Sequence, residues 1–180
     1  DSLIRLDHIA YRVKDRWKTA NFFINALKYK IQQEFTINFS DGSCAQCIAL
    51  EPSEKKHVNQ QWTLEHSSLN TVYHLAPEIF VSDGPPGSIV GDWVATRGNI
   101  GGIHHIAYMV DSVEQTMQEW KEKGYAEFTS KEPLICDDLV QIFSKPSALT
   151  GVIFEFIQRG EHGFCAGNVK ALMESSKDFK

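Results

Sequence analysis

Two stretches of alternating character, IRLDHIAYRV at 4–13 and GGIHHIAYMV at 101–110, each run into a segment whose apolar residues recur every three or four positions. Alternation predicts a strand with two distinct faces, and the longer period predicts an amphipathic helix. Trp17, Ala20, Ile24 and Leu27 carry the helical period after the first strand, and Val113, Met117 and Trp120 carry it after the second. Asp15 supplies an N-cap for the first helix, Ser112 with Gln115 a capping box for the second, and Gly124 a stop. The pattern then returns to strands, as YKIQQEFTI, CAQCIAL and HLAPEIFVS in the first half and YAEFTS, DLVQIFS and GVIFEFIQR in the second.

The chain thus reads as βαβββ twice, with His-Ile-Ala-Tyr intact at 8–11 and 105–108. The turn SDGPPGS and a short helix over IVGDWVATRGN join the copies, and the boundary falls at Asn99 to Gly102. The expected fold class is α+β, one domain made of module one (1–100), module two (101–160) and a closing helix within 161–180. Only Glu51 to Asn70 lacks periodicity, and its His57 and His66 read as surface-loop residues.

Side chains alternate along a strand, so His105, Ala107 and Met109 share one face while Ile106, Tyr108 and Val110 share the other, where the helix seats. His8, Ala10 and Arg12 match the first set. His104 is expected on the face opposite His105, as a helix-facing residue or a support for it, with no counterpart in the first copy, where Asp7 stands. GVIFEFIQR sets Glu155 inside an apolar run, where an isolated carboxylate loses several kcal/mol of solvation unless a cation compensates it. Aligning PEIFVSDG with FEFIQRG sets Glu78 beside Glu155. Two histidines and two glutamates from equivalent strands would then converge on one metal ion.

Eighteen basic against 23 acidic residues give a net charge of -5 without a basic run, which argues against nucleic acid as a partner. No apolar run approaches the ~18 residues of a membrane span, and the first residues lack a cleavable apolar segment. The expectation is a cytoplasmic protein with no membrane partner. Cys44, Cys47, Cys136 and Cys165 are too few and scattered for a disulfide framework, and CAQC lacks a second pair for zinc. They are expected to be reduced, buried thiols. The glycines at 160, 163 and 167 lack dinucleotide-loop spacing.

This duplicated pattern resembles the vicinal oxygen chelate superfamily, which implies paired modules forming an eight-stranded cupped mixed sheet around a divalent metal. Within it, the stretch from Leu139 to Ser175, with QIFSKP, FEFIQR and GFCAGN leading into a final helix, resembles the catalytic C-terminal domain of the 4-hydroxyphenylpyruvate dioxygenase family. The resemblance implies Fe(II) held by His8, His105 and Glu155, with a 2-oxo acid and O2 as the small molecules that meet it. It also implies a pocket formed by Gln141, Phe143, Phe164 and Asn168. Val169 stands where that family has a second aromatic, and His104 where it has a glutamine.

With Glu78 as a fourth ligand, and as the proton-transfer base, the set instead resembles bacterial glyoxalase I and, with Gln in place of Glu78, methylmalonyl-CoA epimerase, which implies an isomerase or lyase using Ni, Co or Zn. Antibiotic-sequestering relatives lack the metal ligands, which argues against a purely binding role. A homodimer is implied by analogy with the superfamily.

Overall fold

A computed structural model describes residues 4–53, 62–63, 72–73 and 76–180. His57 and His66 lie outside the described residues. The leading strand of each half forms as the alternation predicts, β1 over Ile4–Val13 and β7 over Gly101–Val110, and each feeds its helix, α1 over Arg16–Leu27 and α3 over Val113–Glu122. Both predicted caps close: Asp15 accepts from the Lys18 amide and Ser112 from that of Gln115, each at 3.1 Å. Gly124 follows α3 with a positive φ of 70°, which its missing Cβ permits. On α1 the buried positions are Ala20 and Phe23, while Trp17 and Leu27 stay largely exposed.

The remaining strands are β2 (Tyr29–Asn38), β3 (Cys44–Pro52), β4 (Trp62–Thr63), β5 (Val72–Tyr73), β6 (Glu78–Asp83), β8 (Leu134–Cys136), β9 (Leu139–Phe143) and β10 (Ile153–Gln158). YAEFTS does not form the expected strand, because only Phe128 makes a bridge, to Ser144, and the edge strand falls later, at β8. The short helix α2 spans Ile89–Ala95, and α4 spans Ala166–Ser175.

Eight strands make one curled mixed sheet in the order β2-β3-β6-β1-β7-β10-β9-β8. The order is a palindrome of the two halves, so the leading strands β1 and β7 meet antiparallel at the centre. Helices α1 and α3 cover the convex face, packing on Ile48, Ile79 and Val81 in one half and on Ile142 and Phe156 in the other. The concave face gathers Ala10, Phe80, Ala107 and Met109 under α4 and Trp93 of α2. The small residues Ala10 and Ala107 leave room at its centre.

One cysteine expectation is corrected. Cys136, at the end of β8, and Cys165, the residue before α4, form a disulfide with Cα atoms 6.5 Å apart. Their 29-residue separation conceals the pairing, which arises because α4 folds back across the sheet edge. Cys44 and Cys47 are free thiols. No helix among the described residues is long and apolar enough to cross a membrane.

Candidate metal centre

The leading strands each carry a β-bulge, and these bulges build the site. In the β1–β7 pairing Leu6 faces Tyr108 but His8 faces Ala107, so Asp7 is an extra residue on β1. Further along, Ala10 faces His105 but Tyr11 faces Ile103, so His104 is an extra residue on β7. A bulge interrupts the alternation of faces. His104 therefore shares the concave side with His105, both lining one cavity, which corrects the expected opposite-face assignment. It also has a symmetry counterpart: Asp7 and His104 are equivalent bulge residues.

Each bulge residue meets the ring nitrogen of the histidine after it. Asp7 Oδ2 lies 2.6 Å from His8 Nδ1, and His104 Nδ1 lies 2.8 Å from His105 Nδ1. Partners of this kind fix which nitrogen carries the proton and leave Nε2 for a metal. The other ends converge on β10, where Glu155 Oε1 is 3.3 Å from His105 Nε2 and Oε2 is 3.6 Å from His8 Nε2. One ligand atom from each of His8, His105 and Glu155 falls within 4.8 Å of the others, with His8 and Glu155 buried and His105 half-buried. Two imidazoles and a carboxylate at that spacing fit a divalent cation.

Electrostatics supports the same reading. Burial alone would push the Glu155 carboxyl up, but His8 and His105 beside it bring it down to about 2. Burial opposes the charge on His8 as well, yet Glu155 and Asp7 raise it to about 9. Burial lowers His105 and His104, which are therefore neutral near pH 7. The metal-free cluster thus holds a proton on His8 where an ion would bind.

Glu78 is placed differently from its expected match. In the parallel pairings Ala107 faces Glu155 on β10, while the equivalent Ala10 faces Phe80 on β6. Phe80, not Glu78, is the symmetry mate of Glu155, so the structure shifts the expected alignment of PEIFVSDG with FEFIQRG by two residues. Glu78, beside His8 on β6, instead accepts a short hydrogen bond from Arg159, which also donates to both oxygens of Asp7 at 3.0 and 2.7 Å. Burial pushes the Glu78 carboxyl up, and the shared arginine only partly offsets it. Sequence reasoning missed Arg159, although alternation from Glu155 through Ile157 points position 159 at the same face.

Gln141, Phe143 and Phe164 line the cavity at the metal cluster. Phe143 lies 4.5 Å from the His105 ring and Phe164 5.1 Å from that of His8. Gln141 Nε2 donates to Glu155 at 3.3 Å, and Asn168 of α4 donates to Gln141 at 3.1 Å. Asn168 therefore stands behind the pocket wall and reaches the site through Gln141. Gln33, which sequence reasoning also missed, grips both the amide and the carbonyl of Phe164, at 3.1 and 2.8 Å, and fastens the closing segment to β2. Removing the His104 ring (His104→Ala) is expected to lower divalent-metal affinity about 10- to 100-fold without abolishing it, as measured by equilibrium dialysis.

A curled eight-stranded sheet with this cluster in its concave face defines a metalloenzyme-like scaffold of duplicated βαβββ halves. The chain belongs to the Glyoxalase/Bleomycin resistance protein/Dioxygenase superfamily, whose family model matches residues 7–136. No curated protein matches it. Among solved structures it is similar to a methylmalonyl-CoA epimerase, at 20% identity and a TM-score of 0.63, covering 87% of this chain and 95% of that one. A mutant 4-hydroxymandelate synthase from Streptomyces coelicolor is similar at 18% identity and a TM-score of 0.72, covering 96% of this chain and 53% of the synthase, about half its length. The methylmalonyl-CoA epimerase from Mycobacterium tuberculosis is similar at 16% identity and a TM-score of 0.58, covering 86% and 87% of the two chains. These likenesses show the shared fold, in a superfamily that includes metal-dependent enzymes.

Proposed function

We propose that the protein is a non-haem Fe(II) dioxygenase acting on a 2-oxo acid, with the metal held by His8, His105 and Glu155. The observation that carries this is the engagement of Glu78 by Arg159, which leaves a cluster of three protein ligands among the described residues. Three ligands on one side of the ion leave adjacent positions for a chelating oxo acid and O2, whereas four leave too few. The bound metal would supply the Lewis acidity and the redox chemistry.

The chain's own residues do the positioning. Asp7 takes the Nδ1 hydrogen bond of His8 and holds the ring with Nε2 toward Glu155. Asn168 orients Gln141, which steadies Glu155. Phe143 and Phe164 press on the two histidine rings, and Val169, Leu172 and Met173 of α4 roof the cavity against water.

A second reading, an isomerase or lyase of the methylmalonyl-CoA epimerase or glyoxalase I kind with Ni, Co or Zn, is favoured by the position of Glu78. It lies beside His8 in register and, with its raised pKa, is a candidate base. Anaerobic metal reconstitution followed by oxygen-electrode assays on a panel of 2-oxo acids separates the two. Iron-dependent uptake is expected; no uptake across the panel, with Ni, Co or Zn bound through four side chains including Glu78, would sink the oxygenase.

A further inference from the structure

Arg12 lies two positions beyond Ala10 on the concave side of β1 and lines the same cavity as the metal cluster. It is 4% exposed and forms no hydrogen bond or ion pair with any described residue. Buried arginines are ordinarily matched by a carboxylate, because the guanidinium cannot shed its charge cheaply. Burial pushes Arg12 down to about 9, which still leaves it cationic at neutral pH.

Among the described residues, the carboxylate that shares this cavity, Glu155, is engaged by His8 and His105. Ser82 is the strand neighbour of Arg12 in register, and the Arg12 guanidinium lies 5.8 Å from the Trp93 ring. Arg97 stacks on the same ring at 3.7 Å and adds a second positive charge. The nearby Cys47 thiol is pushed up to about 12 by burial, so it is neutral. A second orphan lies in the same wall: His104 Nε2 is buried without a partner among the described residues. Once His105 donates its Nδ1 proton to His104, that nitrogen carries a hydrogen with nothing to receive it.

We propose that Arg12, with Ser82 and His104 beside it, is the receptor for a second anionic group on the substrate, so that the cavity selects a 2-oxo dicarboxylate over a 2-oxo monocarboxylate. The proposal rests on the 2-oxo acid reading above, in which the first carboxylate chelates the metal. Glu155 and the ion then leave no spare negative charge for Arg12, and a distal carboxylate supplies it. The unmatched cation is held in place for the ligand at a cost in stability.

The test is calorimetric, on Co(II)-loaded protein without oxygen. The probes are matched pairs, 2-oxoglutarate with 2-oxopentanoate and 2-oxoadipate with 2-oxohexanoate. Wild type is expected to favour the dicarboxylate in at least one pair by about 10- to 100-fold, the worth of a charge-assisted contact. Arg12→Met should erase that preference while Co(II) and monocarboxylate binding stay as in wild type, and Arg12→Lys should keep part of it.

Arg12→Met should also raise the melting temperature of the ligand-free protein by a few degrees, the reverse of what a structural arginine would give. Equal binding within every pair, equal weakening of both members in Arg12→Met, or a lowered melting temperature with the preference intact would each overturn the proposal. If Co(II) does not bind at all, the metal reading is what fails. The Arg12 site is then decided by the same comparison on metal-free protein with glutarate and pentanoate.

Discussion

Glu155→Gln is expected to lower divalent-metal affinity by more than about a hundredfold, beyond the loss from an outer hydrogen-bond partner, while Glu78→Gln leaves it close to wild type. The same acid-to-amide change gives opposite results because Glu155 is within reach of both imidazole Nε2 atoms, whereas Glu78 is spent on Arg159. Chelator competition with Co(II) measures both, and comparable losses would establish the four-ligand site. The pH dependence is a further readout. In the metal-free fold His8 sits at about 9, above its ordinary 6.5, chiefly because Glu155 and Asp7 overcome the penalty of burial. Its charge therefore adds stability that is complete below pH 6.5 and is lost as the pH rises toward 9. A metal needs the neutral ring, so wild-type affinity should climb across that interval with release of a proton. Glu155→Gln removes the main partner of the charged ring, and the climb should move to lower pH.

The repeat made most of this architecture readable. Recurrence of His-Ile-Ala-Tyr located both central strands, and the caps at Asp15 and Ser112 located both helices, because those signals depend on neighbours a few residues away. The bulges at Asp7 and His104 were not readable. A bulge is a relation between two strands, and period-two reasoning along one strand assigns the following residues to faces as though it were absent. That single effect explains why His104 was expected on the helix side and why its likeness to Asp7 went unseen.

The register of β6 against β1 failed for a related reason. Matching PEIFVSDG to FEFIQRG aligned two glutamates by identity, whereas the sheet aligns Phe80 with Glu155 through the alanines each faces. The disulfide was hidden because Cys136 and Cys165 meet only after α4 crosses the cup. Simple alternation assigns Arg12 to the concave face, but its lack of a counter-charge among the described residues is a property of three dimensions. It depends on what β6, α2 and β7 bring to it.

Arg159→Met is expected to destabilise the protein by about 3–5 kcal/mol, the usual cost of stripping one partner from a buried charge cluster. Arg159 donates to Asp7 and Glu78 at once and lies 4.7 Å from the Phe164 ring, so one cation serves two buried acids. In wild type the division is unequal. Burial would raise Asp7, but Arg159 and His8 hold it well below the ordinary carboxylate range, whereas burial keeps Glu78 above it. Asp7 thus contributes stability that is present above its unfolded value near 3.8 and is lost as pH falls through the lower folded one. Glu78 has the opposite sign and costs stability above its ordinary 4.5. With Arg159 gone, Glu78 loses the group that lowers it, and the penalty should ease as the pH falls and the carboxyl takes up a proton. Urea unfolding of Arg159→Met at pH 5 and pH 8 measures this, the smaller loss being expected at pH 5. Adding Glu78→Gln should recover part of the loss at pH 8, since the amide needs no cation while Asp7 keeps its partner His8. A loss that is equal at both pH values and untouched by Glu78→Gln would place the role of Arg159 in its packing on Phe164 instead of in the charge cluster.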